Sequence, residues 1–288
     1  MNARRLPFAI ALAIALAACG SDDSASTVVD TKTNTPVPAV QVKPDANAIA
    51  AELEKMYGEY WEASLERNPI QATFVGDPRY NDRLPNFFSA ESRKQQHDFD
   101  QNWLDKVSAI DASALAGQAR LSYDIFVRER KLSLEGERFP GWMQPIDQFS
   151  NFTQFLAQLG SGRSAQPFVT VKDYDDWLLR ANAAPALFDT AIANMREGMK
   201  AGVVQPKVLM SKVLPQLESF IKGETESSVF WGPITNLPKE FSDADKTRFT
   251  AAYRTLIEAQ ITPAYQRLHA FIKDEYLPAC RDSVAFSA

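Results

Sequence analysis

Cys19 carries the most legible chemistry in the chain. It closes the run Leu16-Ala17-Ala18-Cys19-Gly20, which follows Arg4, Arg5 and an uncharged stretch from Leu6 to Ala18. A cysteine behind two small residues, at that distance from a positive start, is the pattern of a secretory signal cut before a thiol that is then acylated. The apolar run is too short for a transmembrane helix, which needs about 20 residues. Residues 1–18 are therefore expected to be a signal peptide, with Cys19 the lipidated N-terminus. Each buried CH₂ adds about 0.8 kcal/mol, so several acyl chains hold a protein firmly on a bilayer. The partner implied is membrane lipid. Gly20 stands where an aspartate would signal inner-membrane retention, which favours the outer membrane of a Gram-negative envelope, with the protein facing the periplasm.

Two further groups could bind a substrate. Asp77, Arg79, Asn81 and Asp82 crowd the loop Gly76-Asp77-Pro78-Arg79-Tyr80-Asn81-Asp82. An arginine there could take a peptide carboxylate bidentately, or the loop could close on its own ion pairs and Asx turns. Gln144 and Gln148, flanked by Trp142 and Phe149, offer amides in an aromatic wall suited to peptide, or amides that cap nearby backbone. The two histidines, His97 and His269, are far apart and outside any His-Glu-x-x-His pattern. No metal site and no catalytic residue is assigned. G-x-S-x-G is absent. With Cys19 acylated, Cys280 has no partner and reads as a small buried hydrophobe.

The elements that must position these residues are helices. Ser21 to Pro44 is polar and Pro-containing, so 19–44 is expected to be a lipidated N-terminus and disordered linker. Residues 45–288 read as one helical domain. Asp45 caps a first helix with Ile49, Leu53, Met56, Tyr57, Tyr60, Trp61 and Leu65 on one face, ended by Arg67-Asn68-Pro69. A second helix is expected over Glu91–Ile110, and a third over about Leu115–Leu134 with Leu121, Ile125 and Leu132 inward. Phe139 to Phe168 reads as an ordered loop with a short helix near Phe152–Leu159. Thr170 and Asp173 form a capping box opening a long helix that Pro185 should kink. Pro206 starts the next. Ser242-x-x-Asp245 opens the strongest pattern: Phe249, Tyr253, Ile257, Ile261, Tyr265, Leu268, Ile272 and Tyr276, about seven turns or roughly 40 Å of helix, bent near Pro263. No run of period two stands out. The class is all-α, an irregular multi-helix bundle. A net charge of -5 and a pI of about 5.3 exclude a basic nucleic-acid footprint.

Four segments resemble the domain of unknown function 885 family of bacterial proteins, often lipoproteins. They are Arg67-Asn68-Pro69 with Gly76 to Asp82; Gln144-Pro145-Ile146-Asp147-Gln148; Met195 to Gly202 running into Pro206; and Tyr276-Leu277-Pro278 with Arg281 and Ser287-Ala288. The resemblance implies a helical protein about twice this length. It also implies a His-Glu motif and a later Pro-Gly-His in the second half, similar to a zinc metallopeptidase site. This chain matches the N-terminal half, so the bundle is expected to be incomplete relative to the family domain. No ligand is carried over to any position here, and the chain alone is expected to be inactive. The alternative is a non-enzymatic helical lipoprotein that binds peptides or an envelope partner; a third reading is the remnant of a broken gene.

Overall fold

The computed structural model describes residues 45–149 and 151–284. The expected signal peptide, Cys19 and the linker lie outside the described residues. Among the described residues there are helices and two isolated bridges, with no sheet, and no helix is long and apolar enough to cross a membrane.

The chain opens with α1, Ala46–Arg67, whose first turn is capped by the Asp45 carboxylate on the Asn47 N–H. Asn68 ends α1 and caps α2, Pro69–Phe74, because its side chain accepts from Gln71 N while Pro69 needs no partner at the first position. A 3-10 turn, Pro78–Tyr80, leads to α3, Ala90–Ser108, capped by Ser89, and then to α4, Gly117–Gly136. These helices enclose a small core of Ile49, Leu53, Met56, Trp103, Val107 and Leu115, with Tyr60 against Phe99, Trp103 and Phe126.

Here the sequence expectation fails for one helix. Leu121, Ile125 and Leu132 are 52%, 50% and 46% exposed, and Trp61 of α1 is 46% exposed. The α4 helix carries two apolar lines, and the inward, half-buried one runs through Tyr123, Phe126, Val127, Arg130 and Ser133. Aromatic area is part of the reason. The rest is Asp100, fully buried on α3, whose carboxylate needs Arg130 and Ser133.

The larger core lies under α5, Phe152–Gly160; α6, Val171–Asn182; α7, Ala184–Ala201; and α8, Lys207–Ile221. The Thr170–Asp173 capping box is formed. The expected Pro185 kink is a full break at Ala183, giving two helices with Pro185 in the first turn of the second. After a short α9, Gly232–Thr235, comes a rod: α10, Asp243–Leu256; α11, Thr262–Phe271; and α12, Leu277–Ala279. They are joined by π-turns at Ile257–Ile261 and Ile272–Tyr276. The eight expected inward residues of this rod are all buried. A strict spacing of four turns about 40° per step off a 3.6-residue helix. The π-turns absorb that drift: Thr262 N bonds Ile257 O, and Leu277 N bonds Ile272 O, each five residues back. Pro263, which lacks an N–H, is the second residue of α11, one position beyond the Thr262 that closes the first of them.

Candidate functional site

The segment from Arg67 to Arg83 is held by one buried cation. Arg180, on α6, is fully buried. Its Nε donates to the Arg83 carbonyl at 3.0 Å and Nη2 to the Tyr80 carbonyl at 2.6 Å; Nη1 donates to Thr73 Oγ1 at 2.9 Å and Gln166 Oε1 at 2.6 Å. Every acceptor is neutral. Burial pulls the guanidinium down to about 10, opposed by the fields of Asp82 and Asp176. It remains a cation at neutral pH, so five backbone and side-chain bonds offset its desolvation.

A second polar chain threads the small core. Arg67 Nε donates to Gln96 Oε1 at 2.8 Å, and Gln96 Nε2 to Asp100 Oδ2 at 2.7 Å. Arg130 Nη1 donates to Asp100 Oδ1 at 2.8 Å and to the Tyr60 hydroxyl at 2.6 Å. Arg67 Nη2 also donates to the Ser92 carbonyl at 2.9 Å, and its guanidinium lies 5.8 Å from the Phe99 ring centroid. Burial lowers the Arg67 pKa, countered by Asp100.

Where the two cores meet, α1, α2, α3 and α5 leave a cleft of about 550 Å³. Among the described residues Arg67 is the one charged residue on its lining; the remainder is Ser, Asn, Gln, Pro, Ile and the aromatic rings Tyr60, Phe87, Phe99 and Phe155. On the other side of Gln96 lies a second hollow of about 490 Å³, walled by Arg93, His97, Glu137 and Trp142 among others. There Arg93 stacks 4.3 Å from the Trp142 ring, and His97 Nδ1 is 2.8 Å from Glu137 Oε2.

The family model for a bacterial protein of unknown function, DUF885, matches residues 69–285. The chain belongs to this DUF885 family. No curated protein matches it significantly. Among solved structures it is similar to "the putative lipoprotein from Colwellia psychrerythraea", at 15% identity and a TM-score of 0.68, over 82% of this chain and 42% of that one. The likeness is one of fold, and the chain spans less than half the length of that solved protein.

Three of the four DUF885-like segments do recognisable structural work. Asn81 is buried with Thr73 Oγ1 at 2.7 Å from its Oδ1, and Gly76 has φ of +84°. In the third segment, Gly198 lets the Val203 and Met143 carbonyls approach; a Cβ would stand 2.6 and 3.0 Å from those oxygens. Gly202 closes α7 at φ of +72°. The third and fourth segments meet: Lys207 N donates to Arg281 O, Arg281 N to Gln205 O, and Gln205 N to the Tyr276 hydroxyl.

The candidates read from sequence sit elsewhere than the cleft. Arg79 is engaged by Asp77, which it holds below the usual carboxylate range, and by Glu62 at 2.7 Å. Arg79's own pKa is raised by the same two bonds. Gln144 and Gln148 are half-buried in the 139–151 loop, where the Gln148 carbonyl accepts from Gln216 Nε2 at 3.2 Å. None of these four residues lines either hollow. Nothing in the sequence marks Arg67, Gln96 or Arg180 as functional side chains. Arg67 reads only as part of a helix end, and a lone arginine inside a helical pattern gives no signal of burial.

The zinc implied by the resemblance does not fit the described residues. Among them no group of three or more His, Cys, Asp and Glu could hold a metal. His97 faces Glu137, and His269 Nε2 lies 3.3 Å from Glu218 Oε1. Cys280 is buried and its thiol is pushed up to about 11 by desolvation, which keeps it protonated.

Proposed function

We propose that this chain is the ligand-holding, N-terminal part of a peptidase-like envelope lipoprotein, tethered through acylated Cys19 and facing the periplasm. The hydrolytic chemistry is assigned to residues outside 1–288. In this reading the described helices supply one wall of a substrate cleft and no group that breaks a bond. What supports it most is the solved neighbour, which is described as a "putative lipoprotein" and of which this DUF885 chain spans 42%. The lipobox-like run ending at Cys19 is the second support.

The test has two arms. Expression in a Gram-negative host with an alkyne palmitate should label the protein, and Cys19→Ser should abolish the label; label surviving in that variant removes the anchor. A protein carrying this chain together with a downstream half should cleave a peptide library in a chelator-sensitive way, while residues 1–288 alone should not. Chelator-sensitive cleavage by 1–288 alone overturns the division of labour.

A second reading, a non-enzymatic binder of peptides or of an envelope partner, is favoured by one observation. The described helices themselves bound a cleft of about 550 Å³ lined by one arginine and four aromatic rings. It predicts peptide binding by 1–288 and no hydrolysis by the longer protein.

A further inference from the structure

The cleft between the two cores has an unusual charge pattern. Among the described residues its lining carries one guanidinium and no carboxylate. Arg67 makes no ion pair within 4.0 Å among the described residues. Most exposed arginines of this protein do: Arg79, Arg120, Arg196, Arg248, Arg254 and Arg267 are each paired with Asp or Glu. The nearby Asp100 is committed to Arg130, Ser133 and Gln96. Two arginines and one aspartate leave the network one positive charge in excess.

The Arg67 side chain is also fixed in place. Gln96 Oε1 and the Ser92 carbonyl hold Nε and Nη2, and the guanidinium carbon sits over the Phe99 ring, 5.8 Å from its centroid. Nη1 donates to no protein acceptor among the described residues, and it is not among the side-chain nitrogens sealed from solvent. A held guanidinium with donors to spare is preorganised for a carboxylate, since little rotamer freedom remains to be lost. Beside it stand apolar walls. Phe155 stacks on Phe74 with centroids 5.8 Å apart, and Phe87 packs edge-on to Phe88 at 4.5 Å. Phe155 also borders a further hollow that reaches the exposed Phe149.

We propose that this cleft binds a carboxylate through Arg67, with the apolar group next to that carboxylate lying against Phe155 and Phe87: the chemistry of a peptide C-terminus or of an aryl-bearing organic acid. The inference rests on the reading of the cleft as the ligand-holding wall. Its test is a binding measurement that needs neither the lipid anchor nor hydrolysis, so the two can fail separately.

The probe is N-acetyl-phenylalanine, titrated calorimetrically into the full chain in detergent, against N-acetyl-phenylalaninamide and 3-phenylpropionate. The acid should bind at least about tenfold more tightly than its amide, because a charge-assisted fork is lost with the charge. Arg67→Met should abolish that preference, and Arg67→Lys should keep part of it, as a point charge without the planar fork. Phe155→Ala should weaken acid and amide by the same factor, leaving their ratio unchanged. Arg79→Gln should change nothing. If phenylpropionate binds as well as the acetylated amino acid, the ligand is an aryl acid; if it binds several-fold worse, the peptide backbone is read too. Melting curves check that each variant folds. If Arg67→Met does not fold, the acid-to-amide ratio in the unaltered chain and in Phe155→Ala still decides. Equal binding of acid and amide, no binding of either, or an unchanged ratio in a folded Arg67→Met overturns the proposal.

Discussion

The two cores of this protein are built on different principles. The larger one, under the α10–α12 rod, is aromatic and closely packed, with Tyr174, Trp177, Phe188, Phe249, Tyr253 and Tyr265 all fully buried. Its glycines are filled by their neighbours: a Cβ on Gly160 would stand 2.3 Å from Trp177 and 2.7 Å from Phe230. The smaller core, under α1, α3 and α4, is thin. No residue of α4 is buried, and its glycines Gly58 and Gly136 have open space around them. What the small core lacks in apolar depth it replaces with the Arg67–Gln96–Asp100–Arg130 chain of polar bonds. A packed core resists change of volume, whereas a polar network resists loss of a partner. The cleft lies where the two kinds of construction meet, and this is where a charged group such as Arg67 can be held without being sealed.

The largest effect that would test this contrast is at Arg180, the polar exception inside the large core. Arg180→Met leaves the Tyr80 and Arg83 carbonyls and Gln166 without their donor. At about 1–3 kcal/mol for each buried acceptor left unpaired, it should lower unfolding free energy by about 3–5 kcal/mol, read by urea denaturation, and amides of residues 76–83 should lose exchange protection. A loss below about 1 kcal/mol with protection intact would show that the loop holds itself through Asp77, Arg79 and Glu62, and that the buried cation is incidental.

The distinction also explains what could be read from the chain beforehand. Helix positions, caps and the α10–α12 stripe were legible because apolar period and capping residues are local signals. The rotation of α4 was not. Leu121, Ile125 and Leu132 make as clean a stripe as the line through Tyr123, Phe126 and Val127, and the choice rests on Asp100, a residue of another helix. The cleft was hidden for the same reason. Arg67 and Gln96 lie 29 positions apart, and nothing local marks either as part of a site. The loop of Asp77 and Arg79 reads as a candidate site because its polar residues are crowded in sequence, yet crowding lets them pair with one another.

A matched pair of glycine substitutions should separate the cores next. Gly160→Ala overfills the large core and should cost about 1–3 kcal/mol. Gly58→Ala, in the middle of α1 with nothing within 4 Å of the new Cβ, should stabilise by about 0.5–1 kcal/mol through lower backbone entropy in the unfolded chain. Opposite signs in urea midpoints support the contrast. Two losses would mean that α1 is as tightly enclosed as the core around Trp177.

The smallest effect sits on α4, and it tests the rotation of that helix directly. Leu121→Gln, Ile125→Gln and Leu132→Gln replace half-exposed side chains, so each should move stability by no more than about 0.5 kcal/mol. Phe126→Ala, on the face packed against Tyr57 and Tyr60 at 5.3 and 4.9 Å, should cost about 2–3 kcal/mol, less than a fully buried phenylalanine because Phe126 is itself half-exposed. The informative quantity is the order of the two costs. If the leucine and isoleucine variants were the more damaging, α4 would have to turn its other face inward. Asp100 would then lose Arg130 and Ser133 inside a thin core. That arrangement is physically unstable unless another donor reached the carboxylate, so the same measurement also tests whether the polar chain fixes the helix or merely accompanies it.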